Sequence, residues 1–330
     1  MTPTATSLRL RRRALLQAAA LGAVLPNAWA QGAFPNKPVR IVVPFAAGGP
    51  TDLMARAIAK AMGQSTGQPF IVDNKPGGGG VIGMSEIGRN PADGYTLVMP
   101  SILAVTNPAL MPNYPFDTLK DFSPVTIVGF IPHALVVKPD FPAADLQALV
   151  KMGKQNPNSL SYASSGIGTS AHLAGALFAQ RAGIQATHVP YRGAGPAVQD
   201  LLGGRVQFMF LDMSTALGQI QAGKLRALAV APAKRFEGLP QVPTVAEQGY
   251  PGFDVHGWYG LLLKAGTPAP VIDALYREVK AALSDPELRA MFRAQGIEPG
   301  GMPPAEYGEV IRKDLVQWRK TIAELGIKLD

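Results

Sequence analysis

The sequence predicts an α/β protein with two lobes, each built on a doubly wound, mainly parallel sheet. Short, continuous, β-branched apolar runs alternate with amphipathic helical patterns through nearly the whole chain, as expected of parallel strands covered on both faces. A chain of 330 residues with 47% hydrophobic composition is also long enough to bury the cores of two lobes.

The predicted elements follow in chain order. The strand candidates are Val39–Pro44, Phe70–Asp73, Thr96–Met99, Ala134–Val137, Leu160–Ala163, Thr187–Val189, Val206–Leu211 and Leu225–Ala231. The helical candidates are the apolar stripe Met54, Ala57, Ile58, Ala61 and Met62, then Ala171–Arg181, Pro196–Leu202, Ser214–Gln221, Val271–Leu283 and Pro304–Leu325, the last with Trp318 on its apolar side.

The strands form two groups, one before about residue 130 and one from about 134 to 231. The C-terminal helices exceed what the second sheet needs, so we expect the chain to cross back to the first lobe. The predicted lobes are residues 31–132 with 250–330, and residues 133–249. Since no low-complexity linker separates them, the crossings must be short, which suits a hinge.

Residues 1–30 have the pattern of a signal peptide. They hold Arg9 and Arg11–Arg13 but no acidic residue, followed by the apolar run Ala14–Leu25 and the cleavage signal Ala28-Trp29-Ala30. The apolar run is too short to span a bilayer, which takes roughly 20 residues. Arg12-Arg13-Ala14-Leu15-Leu16-Gln17 also resembles a twin-arginine signal, but Arg11 stands where such signals usually carry Ser or Thr, so both export routes stay open.

Composition excludes several classes of function. The formal charge of +8 falls to +4 without the four N-terminal arginines, and neither a basic run nor a nucleic-acid-binding motif follows residue 30. With no cysteine, the chain has no disulfide, thiol nucleophile or cysteine-ligated metal. None of His133, His172, His188 and His256 has a metal-ligand spacing partner, so no metal and no cofactor is expected.

The loop after the first strand, Pro44-Phe45-Ala46-Ala47-Gly48-Gly49-Pro50-Thr51-Asp52, leads into a helix. Such a loop lies at the carboxyl edge of a parallel sheet, where ligands bind in α/β folds. Gly48 and Gly49 allow close approach of the backbone, and Thr51 or Asp52 can cap a helix whose N-terminus favours an anion. A tight turn that merely starts a helix is the alternative.

A second loop repeats this pattern. Ser164-Ser165-Gly166-Ile167-Gly168-Thr169-Ser170-Ala171-His172 again joins a strand to a helix. The two loops together predict two anion-receptive helix starts, one per lobe, so that a small carboxylate held between them links lobe closure to binding.

Two further positions keep alternative roles open. Arg192, within Val189-Pro190-Tyr191-Arg192-Gly193-Ala194-Gly195, is either a bidentate partner of a carboxylate or a surface arginine at a turn. Asp212 either accepts a hydrogen bond from a ligand amine or hydroxyl, or caps the next helix.

Other motifs give little support for catalysis or nucleotide binding. Pro76-Gly77-Gly78-Gly79-Gly80-Val81-Ile82-Gly83 contains G-x-G-x-x-G, but it follows the second strand, and we expect a turn packed closely on a helix. Ser164 and Ser165 lack the G-x-S-x-G elbow, and His172 is expected to be a structural hydrogen-bonding residue.

The chain resembles the substrate-binding component of tripartite tricarboxylate transporters, the Bug family of periplasmic receptors. The motifs that carry the resemblance are Pro44-Phe45-Ala46-Ala47-Gly48-Gly49-Pro50-Thr51-Asp52, Asn74-Lys75-Pro76-Gly77-Gly78-Gly79-Gly80, Asp93-Gly94-Tyr95-Thr96-Leu97, Thr106-Asn107-Pro108-Ala109-Leu110, His188-Val189-Pro190-Tyr191-Arg192-Gly193, Ala222-Gly223-Lys224-Leu225-Arg226-Ala227-Leu228-Ala229-Val230 and Leu239-Pro240-Gln241-Val242-Pro243-Thr244. At Lys264 the chain departs from relatives that often carry Pro there.

The resemblance implies a type II binding-protein clamshell that captures a small organic carboxylate and is not an enzyme. It implies ligand contacts in the first lobe at Phe45, Ala46, Gly48, Gly49, Thr51 and Ser101, and in the second at Ser165, Gly166, Gly168, Thr169, Tyr191, Arg192, Gly193 and Asp212. The expected partners are the ligand and the permease subunits of such a transporter, with the receptor itself a monomer. An exported hydrolase on the same clamshell is the alternative.

Overall fold

The computed structural model describes residues 34–329, so the predicted signal peptide lies outside the described residues. The described strands are β1 (Val39–Val43), β2 (Phe70–Asn74), β3 (Thr96–Val98), β4 (Phe122–Val137), β5 (Leu160–Ser164), β6 (Ala186–Pro190), β7 (Phe208–Asp212), β8 (Arg226–Val230), β9 (His256–Lys264) and β10 (Glu298–Pro299).

Helices separate most of these strands, as the alternating pattern predicts. The described α-helices are α1 (Pro50–Thr66), α2 (Val81–Gly88), α3 (Leu103–Leu110), α4 (Leu146–Gln155), α5 (Ser170–Ala182), α6 (Ala194–Leu202), α7 (Met213–Gln221), α8 (Ala269–Ser284), α9 (Pro286–Ala294) and α10 (Pro304–Glu324). A short 3-10 turn, Gly78–Gly80, precedes α2.

The strands form two sheets of matching design. In the first sheet β1 lies between β2 and β3 and runs parallel to both; in the second, β5 lies between β6 and β7 in the same way. The β-branched run Val39–Val43 is almost fully buried because helices cover the first sheet on both faces.

One long strand, β4, belongs to both sheets. Its first part, Phe122–Pro132, pairs antiparallel with β9, while His133–Val137 pairs antiparallel with β7 and β8. Of this strand the sequence predicts only Ala134–Val137, because Pro124, Gly129 and Pro132 look like breakers. Shifts in the β4–β9 register at Pro124/Thr126 and Ile127/Gly129 show how the strand accommodates two of these residues.

The C-terminal segment packs against the first sheet. The hydroxyl of Ser65 in α1 donates to Glu278 Oε2 in α8 at 2.6 Å, and α10 packs on α3 and β4 with Trp318 buried. Gly83 of the discounted glycine motif packs closely on Pro44, since a Cβ at Gly83 would lie 2.6 Å from the Pro44 Cβ. This close packing agrees with the structural role predicted for the glycine motif.

Candidate functional site

The first glycine loop, Pro44–Gly49, connects β1 to α1 at the carboxyl edge of the first sheet. Ala46 and Gly48 are exposed, and Gly48 has a φ of +85°, which favours glycine. The capping prediction is wrong: Gly49 occupies the N-cap position without a side-chain bond, Pro50 follows it, and neither Thr51 nor Asp52 caps α1.

Asp52 instead braces the loop from behind. Its Oδ2 accepts from the backbone N–H of Gly48 at 3.0 Å and from Arg56 Nε at 2.9 Å, and its Oδ1 accepts from Asn74 Nδ2 at 3.0 Å. The same Asn74 amide donates to the Phe45 carbonyl at 3.2 Å. Burial alone would raise the pKa of Asp52, but the bonds from Arg56, Gly48 and Asn74 outweigh it and lower that pKa.

This brace changes which donors the first loop offers. The amide of Gly48 is already bonded to Asp52 and is not free to bind a ligand. The first backbone N–H groups of a helix have no intrahelical partner, so the donors left at this edge belong to the first turn of α1. Thr51 is the second residue of that turn and is buried.

The second glycine loop, Ser164–Thr169, connects β5 to α5. Here the N-cap is formed by a side chain: Thr169 Oγ1 accepts from the His172 N–H at 3.3 Å and donates to the Gly166 carbonyl at 2.7 Å. The buried Ser164 hydroxyl accepts from the Gly166 N–H at 3.2 Å. These bonds fix the backbone at Gly166, which has a φ of +145°.

Two stacked histidines support this second loop. The rings of His172 and His188 lie 3.8 Å apart, and Tyr162 stacks on His188 at 4.9 Å. His172 Nδ1 accepts from the Gly168 N–H at 3.1 Å, in agreement with the structural role predicted for it. Burial lowers the pKa of His172 to about 3 and that of His188 to about 4, with the neighbouring His188 a further cause for His172.

The second glycine loop also contacts α3, the helix that follows β3 of the first sheet. The buried Thr106 hydroxyl in α3 donates to the Gly168 carbonyl at 3.1 Å. A Cβ at Gly168 would lie only 2.4 Å from Leu110 Cδ1, so only glycine fits this contact without a shift. The loop therefore lies directly against the helix that follows β3.

The loop after β6 lies beside the second glycine loop. The Tyr191 N–H donates to the Ser164 carbonyl at 3.0 Å, and the Gly193 N–H donates to the Ser165 carbonyl at 3.2 Å. The Tyr191 hydroxyl donates to Asp200 Oδ2 at 2.7 Å, so its donor is already occupied. Arg192 is exposed, and its guanidinium has no bonded partner among residues 34–329.

Ser101 pairs with Tyr259 of β9, and the Asp212 carboxylate lies close enough to influence the Tyr259 phenol. Ser101 forms an isolated antiparallel bridge with Tyr259. Burial raises the pKa of the Tyr259 phenol, and the nearby Asp212 carboxylate raises it further. Asp212 stands at the N-cap position of α7 without a side-chain capping bond, and its Oδ1 lies 2.8 Å from His133 Nε2.

Neither Tyr259 nor His133 is among the site residues predicted from the sequence. The signal for His133 is its position in the apolar run Ile131–Val137, because a polar ring in such a run requires a buried partner. Tyr259 has no comparable signal, since β9 is absent from the predicted strands.

Eleven of the fourteen predicted site residues fall into three groups in the structure. Ser165, Gly166, Thr169, Tyr191 and Gly193 are joined by hydrogen bonds within and between two adjacent loops. Ser101 pairs with Tyr259, whose phenol is also within the electrostatic influence of Asp212. Phe45, Ala46, Gly48 and Gly49 form the loop after β1.

Among the described residues, two serine–histidine contacts resemble a nucleophile and its base: Ser170 with His133, at 3.0 Å, and Ser164 with His188. Ser164 Oγ lies 2.7 Å from His188 Nε2, but the serine is fully buried and also bonds Gly166. In the part of the chain that is described, no carboxylate bonds His188 to orient it as in a catalytic triad. The described residues also contain no cluster of three or more potential metal ligands and no helix long and apolar enough to cross a membrane.

Two α/β halves that share a long strand, each with a glycine-bearing loop leading into a helix, define a two-lobed solute-binding protein. The model of the tripartite tricarboxylate transporter family receptor matches residues 54–327. The chain belongs to this family of periplasmic solute-binding proteins.

Curated relatives match along nearly the full chain. A protein of a Pseudomonas species, described as a UPF0065 protein in the tcbD-tcbE intergenic region, is 39% identical over 316 residues, covering 95% of this chain and 94% of its own length. Protein BugT of Bordetella pertussis is 38% identical over 298 residues, covering 90% of this chain and 91% of its own length. The resemblance to the Bug family is thereby confirmed.

Solved structures confirm the predicted fold class. A periplasmic transporter is 41% identical with a TM-score of 0.81, over 90% of this chain and 100% of its own. An R. palustris protein solved with adipate is 34% identical with a TM-score of 0.82, over 90% and 100% of the two chains. MatC from Rhodopseudomonas palustris, with bound malate, is 31% identical with a TM-score of 0.77, over 88% and 100%.

Proposed function

We propose that this protein is a periplasmic receptor that captures a small organic carboxylate between its two lobes and delivers it to a tripartite tricarboxylate-type permease. The observation that carries the proposal is the repeated strand–glycine loop–helix unit, which starts α1 in one half and α5 in the other. Each unit ends in backbone N–H groups at a helix N-terminus, where an anion is stabilised.

The binding residues we propose are those that the sequence resemblance implies. They are Phe45, Ala46, Gly48, Gly49, Thr51, Ser101, Ser165, Gly166, Gly168, Thr169, Tyr191, Arg192, Gly193 and Asp212. Gly48 contributes by leaving room for the ligand, since its own amide is bonded to Asp52. Arg192 is exposed, and its unbonded guanidinium can pair with a ligand carboxylate. Two relatives of the family were solved with adipate and with malate, both carboxylates.

The proposed lobes are residues 31–132 with 250–330, and residues 133–249. The change of partner within β4, where Pro132 pairs with His256 and His133 pairs with Asp212, supports the division at this point. Residues 1–30 are proposed to be the export signal, by the general or the twin-arginine route. The mature receptor is proposed to be a monomer that meets its permease only for delivery.

A thermal-shift screen of mono-, di- and tricarboxylates tests the proposed function. A ligand that binds only the folded state raises the melting temperature with its concentration, by mass action. Mass spectrometry of the same samples shows whether the ligand is returned unchanged. Turnover of a carboxylate ester would favour an exported hydrolase, and no stabilisation by any member of the panel would refute the receptor.

The variant Gly48→Val tests the placement of the first loop. No atom lies within 4 Å of a Cβ at Gly48, so the added side chain occupies the approach to the loop. We expect calorimetry to show at least a tenfold loss of affinity for the carboxylate found in the screen, equivalent to about 1.4 kcal/mol.

Gly67→Val is the matched control. Gly67 ends the same helix α1, has a φ of +69° and likewise has open space around its Cβ. The control therefore carries a similar backbone strain at a distance from the loop and should bind normally. Equal affinities for the two variants would contradict the placement.

A further inference from the structure

His133 is a fully buried histidine at the point where β4 passes from one sheet to the other. Its predecessor Pro132 pairs with His256 in the first sheet, and His133 itself pairs with Asp212 in the second. The His133 side chain is 0% exposed, and its backbone carbonyl accepts from the Ala231 N–H at 2.8 Å. A polar ring fixed this deeply in a core requires specific partners.

One nitrogen of this ring has two partners. His133 Nε2 lies 2.8 Å from Asp212 Oδ1 and 3.0 Å from Ser170 Oγ. His133 Nδ1 is buried without a hydrogen-bond partner in the described chain. A proton on Nδ1 would be an unsatisfied buried donor and would leave a bare Nε2 against a carboxylate, so the proton belongs on Nε2. The Nε2–H group of His133 therefore lies in close contact with the Asp212 carboxylate.

This contact leaves half of the Asp212 carboxylate available. Oδ1 lies 2.8 Å from His133 Nε2, whereas Oδ2 has no bonded partner among the residues that the structure describes. The Asp212 side chain is 20% exposed, beside Tyr259. An ionised carboxylate only accepts hydrogen bonds, so the open oxygen repels a ligand carboxylate and attracts a ligand donor.

The same ring also ties Asp212 to the start of α5. Ser170 is the first residue of that helix, immediately after the N-cap Thr169. His133 thereby holds an acceptor, at Asp212, at a fixed distance from an anion-receptive helix N-terminus. A ligand that binds both the N-terminus of α5 and Asp212 needs a carboxylate and, nearby, a hydroxyl or ammonium group.

We infer that His133 is a positioning residue that fixes Asp212 as a hydrogen-bond acceptor in the cleft, and that the ligand is consequently a hydroxy- or amino-substituted carboxylate rather than an unsubstituted one. The inference rests on the proposed receptor function and deepens it by naming the ligand class. His133 acts through Asp212 and Ser170 and does not itself touch the ligand.

The first test uses pairs of acids that differ only by one donor group. Suitable pairs are L-malate and succinate, L-aspartate and succinate, citrate and tricarballylate, and mandelate and phenylacetate. For whichever pair binds, calorimetry of the parent protein should give a Kd at least about tenfold lower for the substituted acid, as expected for a hydrogen bond to a charged group.

The second test compares variants by one ratio, the Kd of the unsubstituted acid divided by the Kd of the substituted acid. Asp212→Asn should reduce the ratio to near one. His133→Gln keeps an N–H donor near the position of Nε2 and should hold the ratio within about threefold of the parent, whereas His133→Leu should lose it. A loosened fold would weaken both acids together and leave the ratio unchanged, so the ratio separates positioning from structural support.

The outcomes are distinct. Equal affinity of the parent for both members of a pair overturns the ligand class but leaves the receptor function intact. The role of His133 is overturned if the Kd ratio is unchanged in folded His133→Leu, or if it is lost as fully in His133→Gln as in His133→Leu. If His133→Leu does not fold, the Kd ratios of His133→Gln and Asp212→Asn decide. Absence of binding to every acid overturns the proposed function and this inference with it.

Discussion

The two glycine loops occupy equivalent places in the two sheets, yet they are held by different chemistry. The loop after β1 is braced by the Asp52 carboxylate together with Arg56 and Asn74. The loop after β5 is held by hydroxyls and by the neutral stacked rings of His172 and His188. The same backbone shape is therefore obtained once with charge-assisted bonds and once with neutral ones.

The two glycine loops also differ in their exposure to solvent. Ala46 and Gly48 of the first loop are open to solvent, whereas Gly168 of the second is buried against α3. Substitutions in the first loop should mainly change binding, and substitutions in the second should mainly change stability. The three predictions that follow test this contrast.

The largest effect is expected for Gly168→Val. Its φ of +79° disfavours a β-branched residue, and its Cβ would overlap Leu110 Cδ1 at 2.4 Å. Strain and overpacking together should lower the free energy of unfolding by about 3–4 kcal/mol, measured by urea denaturation. Gly48→Val, with a φ of +85° and open space, should cost only about 1–2 kcal/mol, for backbone strain alone. Equal losses would show that the contact with α3 is unimportant.

The second prediction concerns pH. In the folded state the pKa of His172 is lowered to about 3 and that of His188 to about 4, from 6.5, so below pH 6.5 the unfolded chain binds more protons. The free energy of unfolding should fall by on the order of 2–3 kcal/mol between pH 7 and pH 5.

A non-titrating variant checks the source of this pH dependence. His188→Gln should make the decline between pH 7 and pH 5 shallower. Asp52 should not contribute in this range: its folded pKa is lowered from 3.8, so its stabilisation is present above that value and is lost only at lower pH. An unchanged slope in His188→Gln would exclude the stacked histidines as the cause.

The smallest effect is expected for the brace of the first loop. Asp52→Ala removes the acceptor for Gly48, Arg56 and Asn74 and should cost about 2 kcal/mol by urea denaturation. Arg56→Ala removes only the exposed partner and should cost less than about 1 kcal/mol. If the two variants were equally destabilised, the surface ion pair rather than the buried carboxylate would hold the loop.

Much of the fold could be predicted because parallel strands buried on both faces leave a plain signal. The run Val39–Val43 and the run Leu160–Ser164 are examples, and both are inner strands with a parallel neighbour on each side. The strand β9 was missed because Gly257 and Gly260 interrupt it, and most of β4 was missed because its prolines look like breakers. Antiparallel pairing with a neighbouring strand, which sequence does not reveal, stabilises both.

The glycine loops were predictable because their backbone shape dictates the residue type. Gly166 and Gly168 have positive φ values that favour glycine, so they mark a loop that only a few sequences can form. The roles of Asp52 and His133 were not predictable, because each depends on partners distant in sequence: Asn74 for Asp52, and Asp212 and Ser170 for His133.

Pro132, the residue before His133, affects how β4 can bend. Pro132 has no backbone N–H, so the ladder lacks a donor at the position where the strand leaves its first set of partners. Bending the strand at this residue breaks no hydrogen bond donated by it, and because the proline ring fixes φ, the bend would use the ψ of Pro132 and the torsions of its neighbours. A bend of β4 between its two sets of partners would therefore lie next to His133, the histidine that contacts Asp212.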